Sequence, residues 1–268
     1  MLNAIQFDHK AFAAEKFTDL FAQKLSEPGS FNDELKDIEW VSKMYSSDST
    51  FRVLTYQIQH ERNKFSSFGF LQEKSGKLFK LNAINQELED DIEYLDLDLD
   101  NWYGALYYNI IERIIENKTY YLLFGFDGYS EYDRRKLVDV LHKNESDQWV
   151  FGSEIFKVDI EGERTDLKKR ILIEYSADSN VTLNYDGGLE MIIHDHLIRR
   201  IGSMPGQGAT NLSDGSLVGY EFKEGTWNYV ERIYDEVLDS APFPQPILNG
   251  QSKKDIIGKG SKKKKKRN

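Results

Sequence analysis

The sequence predicts a mainly β protein with an α element at its N-terminus: an antiparallel β-meander forming a curved sheet, a sandwich or an open barrel. Three observations predict it. β-branched and aromatic runs recur from Thr119 to Arg232, including 119–126, 136–141, 170–175, 181–185, 191–196 and 217–222. Turn signals separate them: Asp127-Gly128, Ala177-Asp178-Ser179-Asn180, Asp186-Gly187-Gly188 and Lys223-Glu224-Gly225. The chain also holds 15 Tyr and 16 Phe, whose flat rings suit a pleated surface.

In chain order, residues 6–25 fit an amphipathic helix. Phe7, Phe12, Phe17, Leu20, Phe21 and Leu25 recur near helical spacing, and Ser26-Glu27-Pro28-Gly29-Ser30 ends the run. Such a helix packs on the sheet or binds a partner. Phe51–Gln59, Phe65–Gln72 and Lys77–Asn82 then read as hairpin strands. Residues 83–101 form an acidic connector, read as a solvated loop able at most to collect divalent cations weakly. Trp102–Glu116 carries both helical and strand signals; its Tyr and Ile content, and the turn at Glu116-Asn117-Lys118, favour a strand. Gly202–Gly215 reads as one long glycine-rich loop, a mobile connection or part of a binding edge.

Three regions follow: 1–35 helical, 36–240 antiparallel β, and 241–268 a tail containing prolines and then lysines, expected to be disordered. The β segments share no fixed period, which argues against a propeller.

Composition narrows the function classes. At 268 residues with 40% hydrophobic content the chain can bury a sizeable core. With no cysteine there is no disulfide, thiolate site or cysteine nucleophile. No apolar run approaches the ~18 residues that a spanning helix needs. Ala11–Leu25 is interrupted by Glu15, Lys16, Asp19 and Lys24, so no secretory signal is read, although a chain with its signal removed would look the same. The net charge is −10, with +8 on residues 251–268 and hence −18 on the first 250.

The segments 102–111, 118–128, 136–141, 149–156, 169–177, 181–186, 191–197 and 219–229 together resemble a family of exported β-rich proteins of Bacteroidota with no established activity. The resemblance spans roughly Phe51 to Val230. It implies a periplasmic or envelope protein and no particular chemistry. The chain departs from it in lacking a signal segment, and in carrying His194 where relatives tend to have an aromatic residue.

His194 and His196 are the sharpest candidate pair. Residues i and i+2 of a strand share a face, so two imidazoles could hold zinc, with Asp186, Glu174 or His142 as a third ligand. Ordinary hydrogen-bonded histidines explain the same residues. Asp127–Asp133 gathers oxygens as calcium requires but lacks the alternating acidic spacing; a hairpin turn with Gly128 at positive φ also accounts for it. No nucleophile elbow, P-loop or dinucleotide fingerprint occurs, and no cofactor is expected.

The leading expectation is a non-catalytic binding or scaffold protein of a bacterial envelope. Trp102, Tyr103, Tyr129, Tyr132 and Trp227 would form an aromatic β surface for a protein partner or glycan. Lys262, Lys263, Lys264, Lys265, Lys266 and Arg267 would engage an anionic surface, each contributing ~1 kcal/mol near an anionic membrane. The first alternative is a hydrolase built on His196 with a carboxylate or metal. The second is a cytosolic protein whose lysine tail meets nucleic acid, although without interleaved aromatics a specific single-strand reader is not expected.

Overall fold

The structure is a computed structural model that describes residues 7–61, 64–84, 91–159 and 165–233. The basic tail, including Lys262–Arg267, lies outside the described residues. A single long helix, α1 (Phe7–Leu25), precedes the strands. The first sheet is a meander of β1 (Ser42–Tyr45), β2 (Phe51–Glu61), β3 (Lys64–Glu73) and β4 (Leu78–Asn82), in that order.

The next strands are β5 (Leu106–Ile115), β6 (Lys118–Asp127), β7 (Asp133–Lys143), β8 (Trp149–Phe151), β9 (Phe156–Asp159), β10 (Thr165–Lys168) and β11 (Ile171–Ser176). Of these, β11-β7-β6-β5 form the second sheet, and β8 pairs with β7. The last strands are β12 (Leu183–Asp186), β13 (Met191–Ile201), β14 (Ala209–Lys223) and β15 (Thr226–Val230). With β9 and β10 they make the third sheet, ordered β10-β9-β15-β14-β13-β12. All pairings between these strands are antiparallel except β15 with β9, which run parallel.

Strand alternation explains the layering. On β2, Leu54 and Tyr56 meet Phe21 and Leu25 of α1, while Phe51 and Val53 face the second sheet. On β6, Tyr121 and Leu123 join the core shared with the first sheet, and Leu122 and Phe124 join the core shared with the third. The second sheet is therefore covered on both faces. That is why 119–126 reads as an unbroken apolar run rather than an alternating one. Each fully buried Leu or Phe contributes about 1.5–3 kcal/mol over the exposed state. The curved-sheet or sandwich expectation holds, and among the described residues no closed barrel forms.

Several local expectations are corrected. Residues 209–215 belong to the long strand β14, which leaves a connection of only 202–208. Gln207 Nε2 donates to Tyr132 O and Ser176 Oγ, both at 2.8 Å, so the connection is tied down. The described part of the acidic connector is not simply solvated. Glu93 pairs with Lys168 at 2.7 Å, Asp96 pairs with Lys169 at 2.5 Å, and Arg170 donates to the carbonyls of Ile92 and Leu95. Its acidic groups face the basic triplet that leads into β11.

At the β6–β7 turn the positive φ falls on Tyr129 (42°), not on Gly128. Gly128 is instead required by proximity, since a Cβ there would lie 2.7 Å from the Phe65 ring. The turn at Glu116-Asn117 behaves as read, with φ of 49° and 64°, the signature of a two-residue hairpin turn.

Candidate ligand-binding pocket

The five aromatic residues expected to form a surface do not come together on one. Trp102 and Trp227 are fully buried, and Tyr103 is buried at 3% exposure. Trp102 Nε1 donates to the Tyr107 hydroxyl at 2.8 Å, within the core between the first two sheets. Trp227 packs against Phe222 and Tyr185 in the other core. Tyr129 is exposed and stacks on the Arg135 guanidinium, 3.4 Å from ring centroid to Cζ. Tyr132 is half-buried and its hydroxyl donates to Pro205 O. Because the second sheet is covered on both faces, most aromatic side chains here serve packing.

The expected paired-histidine site does not assemble either. A bulge lies between Asp195 and Leu197, and the two imidazoles have different surroundings and separate hydrogen-bond partners. His194 is buried, with Nδ1 2.8 Å from Asp195 O, and burial holds its imidazole below the ordinary histidine value. His196 is partly exposed, with Nδ1 2.8 Å from Asp214 Oδ2. The Ser216 hydroxyl and N–H, together with His196, hold the Asp214 carboxyl far below the usual carboxylate range. Among the described residues no three His, Cys, Asp or Glu side chains are grouped as a metal would need.

The Asp127–Asp133 turn has an internal cation of its own. Arg134 donates to the carbonyls of Gly128 and Ser130, so those oxygens already face a guanidinium. Asp127 is buried and accepts from Gln57 Nε2 at 2.7 Å, Tyr129 N at 2.9 Å and the Tyr103 hydroxyl at 3.3 Å. Burial pushes its carboxyl above the ordinary range, against the downward pull of those hydrogen bonds and of Arg135. Asp127, Arg135 and Glu174 lie directly opposite one another across β6, β7 and β11. Arg135 Nε donates to Glu174 at 2.7 Å, while its buried Nη1 has no partner among the described residues. Through the Gln57 bond to Asp127 this row reads as a clasp between the first two sheets.

A concave site forms where sequence reasoning placed none, at the opposite end of β6. The β5–β6 turn, the β3–β4 turn, the start of β2, the end of β7 and the start of β8 converge there on a pocket of about 520 Å³. Glu73, Lys143, Trp149 and Tyr121 line its inner part; Thr50, Ser75, Asn117 and Thr119 supply hydroxyl and amide groups. Glu73 is fixed by Trp149 Nε1, which donates to Oε1 at 2.9 Å, and by Lys143 at 3.9 Å. Lys143 also lies over the Trp149 ring, 5.1 Å from its centroid, and pairs with Asp147 at 3.0 Å.

Behind the wall, Tyr121 donates to Asp48 Oδ2 at 3.1 Å. Burial, with the Asp48 charge second, raises its hydroxyl to about 12, so it stays a protonated donor. Burial pushes the Asp48 carboxyl up, but hydrogen bonds from Ser46, Thr50 and Tyr121 outweigh it and keep the group ionised. The pocket thus has an ordered wall of paired charges and a rim of hydroxyl and amide groups joined by the cationic Lys118. It was hidden in sequence because its residues come from five separate turns and strand ends.

No protein-family model, curated protein or solved structure matches the chain.

Proposed function

We propose that this is a non-catalytic binding protein that takes a small, hydroxyl-rich ligand, such as the end of a glycan chain, in the Glu73–Lys143 pocket. One observation carries the reading: a concavity at the loop end of a rigid two-sheet body, lined by fixed polar groups. Binding sites typically combine such a preformed hollow with a few well-placed polar groups. Glu73 offers carboxylate oxygens and Lys143 an ammonium, and both are already oriented by Trp149. An envelope setting is part of the proposal and rests on the family resemblance alone. The basic tail would add attachment to an anionic surface.

The test is a titration of neutral and acidic oligosaccharides against the protein and a Thr119→Tyr variant, followed by calorimetry. Thr119 lies on β6, where tyrosine suits a strand, and its side chain would fill the pocket. Binding by the native protein and loss in an equally stable variant is expected. Absence of heat with every saccharide would refute the reading.

The His196–Asp214 contact favours a second reading, a hydrolase in which the carboxylate orients His196 as a general base. Among the described residues no hydroxyl engages Nε2 of His196, so water would have to be the nucleophile. Ester hydrolysis that survives His196→Gln unchanged would eliminate it.

A further inference from the structure

Helix α1 changes character along its inner face. Its C-terminal half sets Phe21 and Leu25 into the core with Leu54, Tyr56 and Phe70, and the Thr18 hydroxyl meets the Tyr56 hydroxyl at 2.5 Å. Towards the N-terminus the same face offers only Ala11 and Ala14, whose methyl groups fill little of the space between a helix and a sheet. Antiparallel register sets Ile58 opposite Ser66, Phe68 opposite Asn82 and Lys80 opposite Phe70, so these side chains rise on the helix-facing side of the first sheet. A hollow of about 360 Å³ results, with Ile58, Phe68, Leu81 and Ala83 in its apolar lining and Glu15 and Lys80 as its charges. Among the described residues neither Glu15 nor Lys80 has an ion-pair partner. The hollow shares no lining residue with the Glu73–Lys143 pocket.

We propose that this hollow binds a free α-amino acid with an apolar side chain, a second ligand site independent of the saccharide reading. One unpaired carboxylate and one unpaired ammonium in a single hollow match a ligand that carries both charges and no net charge. A fatty acid would satisfy Lys80 but bring its own carboxylate towards Glu15, and a simple amine would do the reverse. In an α-amino acid both charges stand on one carbon. Its carboxylate meets Lys80, its ammonium faces Glu15, and its side chain enters between the alanines of α1 and Phe68. A peptide would hold its terminal charges at least one residue further apart, and the volume lies at the small end for ligand pockets. Apolar burial supplies most of the affinity, and the two ion pairs at the open mouth supply the selectivity.

The experiment is saturation-transfer NMR on the full chain, titrated with L-leucine, L-phenylalanine, glycine, N-acetyl-L-leucine and L-leucinamide. The acetylated form lacks the ammonium and the amide lacks the carboxylate. Leucine or phenylalanine should bind, and glycine and both blocked forms should bind several-fold more weakly. Lys80→Gln should bring leucine down to the affinity of leucinamide, and Glu15→Gln to that of N-acetyl-leucine. Ala11→Trp, at an exposed helix position bordering the hollow, should abolish binding at unchanged Tm, whereas Thr119→Tyr in the other pocket should leave it intact. Three results would overturn the proposal: no binding by either apolar amino acid, blocked forms that bind as well as leucine, or leucine binding that survives Ala11→Trp or is lost in Thr119→Tyr.

Discussion

Replacing Asp139 by alanine tests whether the buried polar knot beneath the second sheet holds the fold. Asp139 and Arg170 are both fully buried, and Arg170 Nε lies 3.2 Å from Asp139 Oδ1. The same carboxylate accepts from Val140 N at 3.1 Å and from the Tyr107 hydroxyl at 3.2 Å. Asp139→Ala leaves the guanidinium with only the Ile92 and Leu95 carbonyls and no counter-charge. Breaking one side of a buried pair typically costs about 3–5 kcal/mol. At about 2–4 °C per kcal/mol for a body of this size, Tm should fall by about 6–20 °C.

Urea unfolding followed by tryptophan fluorescence measures the change, with an unaltered m-value confirming that the unfolded state is the same. Asp139→Leu combined with Arg170→Met should cost less than Asp139→Ala alone, because no charge is stranded. A loss below about 1 kcal/mol for Asp139→Ala would refute the reasoning, since it would mean that water reaches Arg170.

Trp227→Ala should cost about 3–5 kcal/mol and leave saccharide binding unchanged, because the ring fills a core and not a surface; weakened binding at intact stability would contradict its placement. Gly219→Ala should destabilise strongly, since a Cβ there would sit 2.1 Å from Ile192 O, whereas Gly187→Ala meets nothing within 4 Å and should be near neutral in the same melt. Asp127 contributes a pH term of known sign. Its folded pKa lies above the unfolded value, so its contribution is complete below about 4 and is lost as pH rises through the folded value. Asp127→Asn should flatten that stretch of a plot of urea midpoint against pH, and an unchanged slope would count against the assignment.

Much of the fold was legible because local signals and tertiary structure agree. Asn117 and Glu116 made a two-residue turn visible, and Lys74-Ser75-Gly76 marked the longer turn between β3 and β4. β1, β8, β9, β10 and β15 were not read as strands: they are short, and unlike the equally short β4 and β12 they were not picked out by a turn signal beside an apolar run. The misplacement of Trp102 and Trp227 has a more general cause. Aromatic residues mark a pleated surface equally well whether it meets solvent or a second sheet, and only the break in alternation on β6 hinted at cover on both sides. The pocket was illegible for a different reason. Glu73 and Trp149 are distant in sequence, and neither belongs to a motif.

The parallel pairing of β15 with β9 sets Trp227 beside Phe156 and Asn228 beside Lys157, joining strands made about 70 residues apart in synthesis. Without β15 the third sheet falls into two pieces, β10-β9 and β14-β13-β12. As the chain emerges from the ribosome, the first two sheets can close while β9 waits for Thr226–Val230 to appear. During that wait β9 offers an open edge that includes Phe156, and open edges recruit strands from other copies. Chains interrupted before Thr226 should therefore accumulate as aggregates, whereas those interrupted just beyond Val230 can complete the sheet.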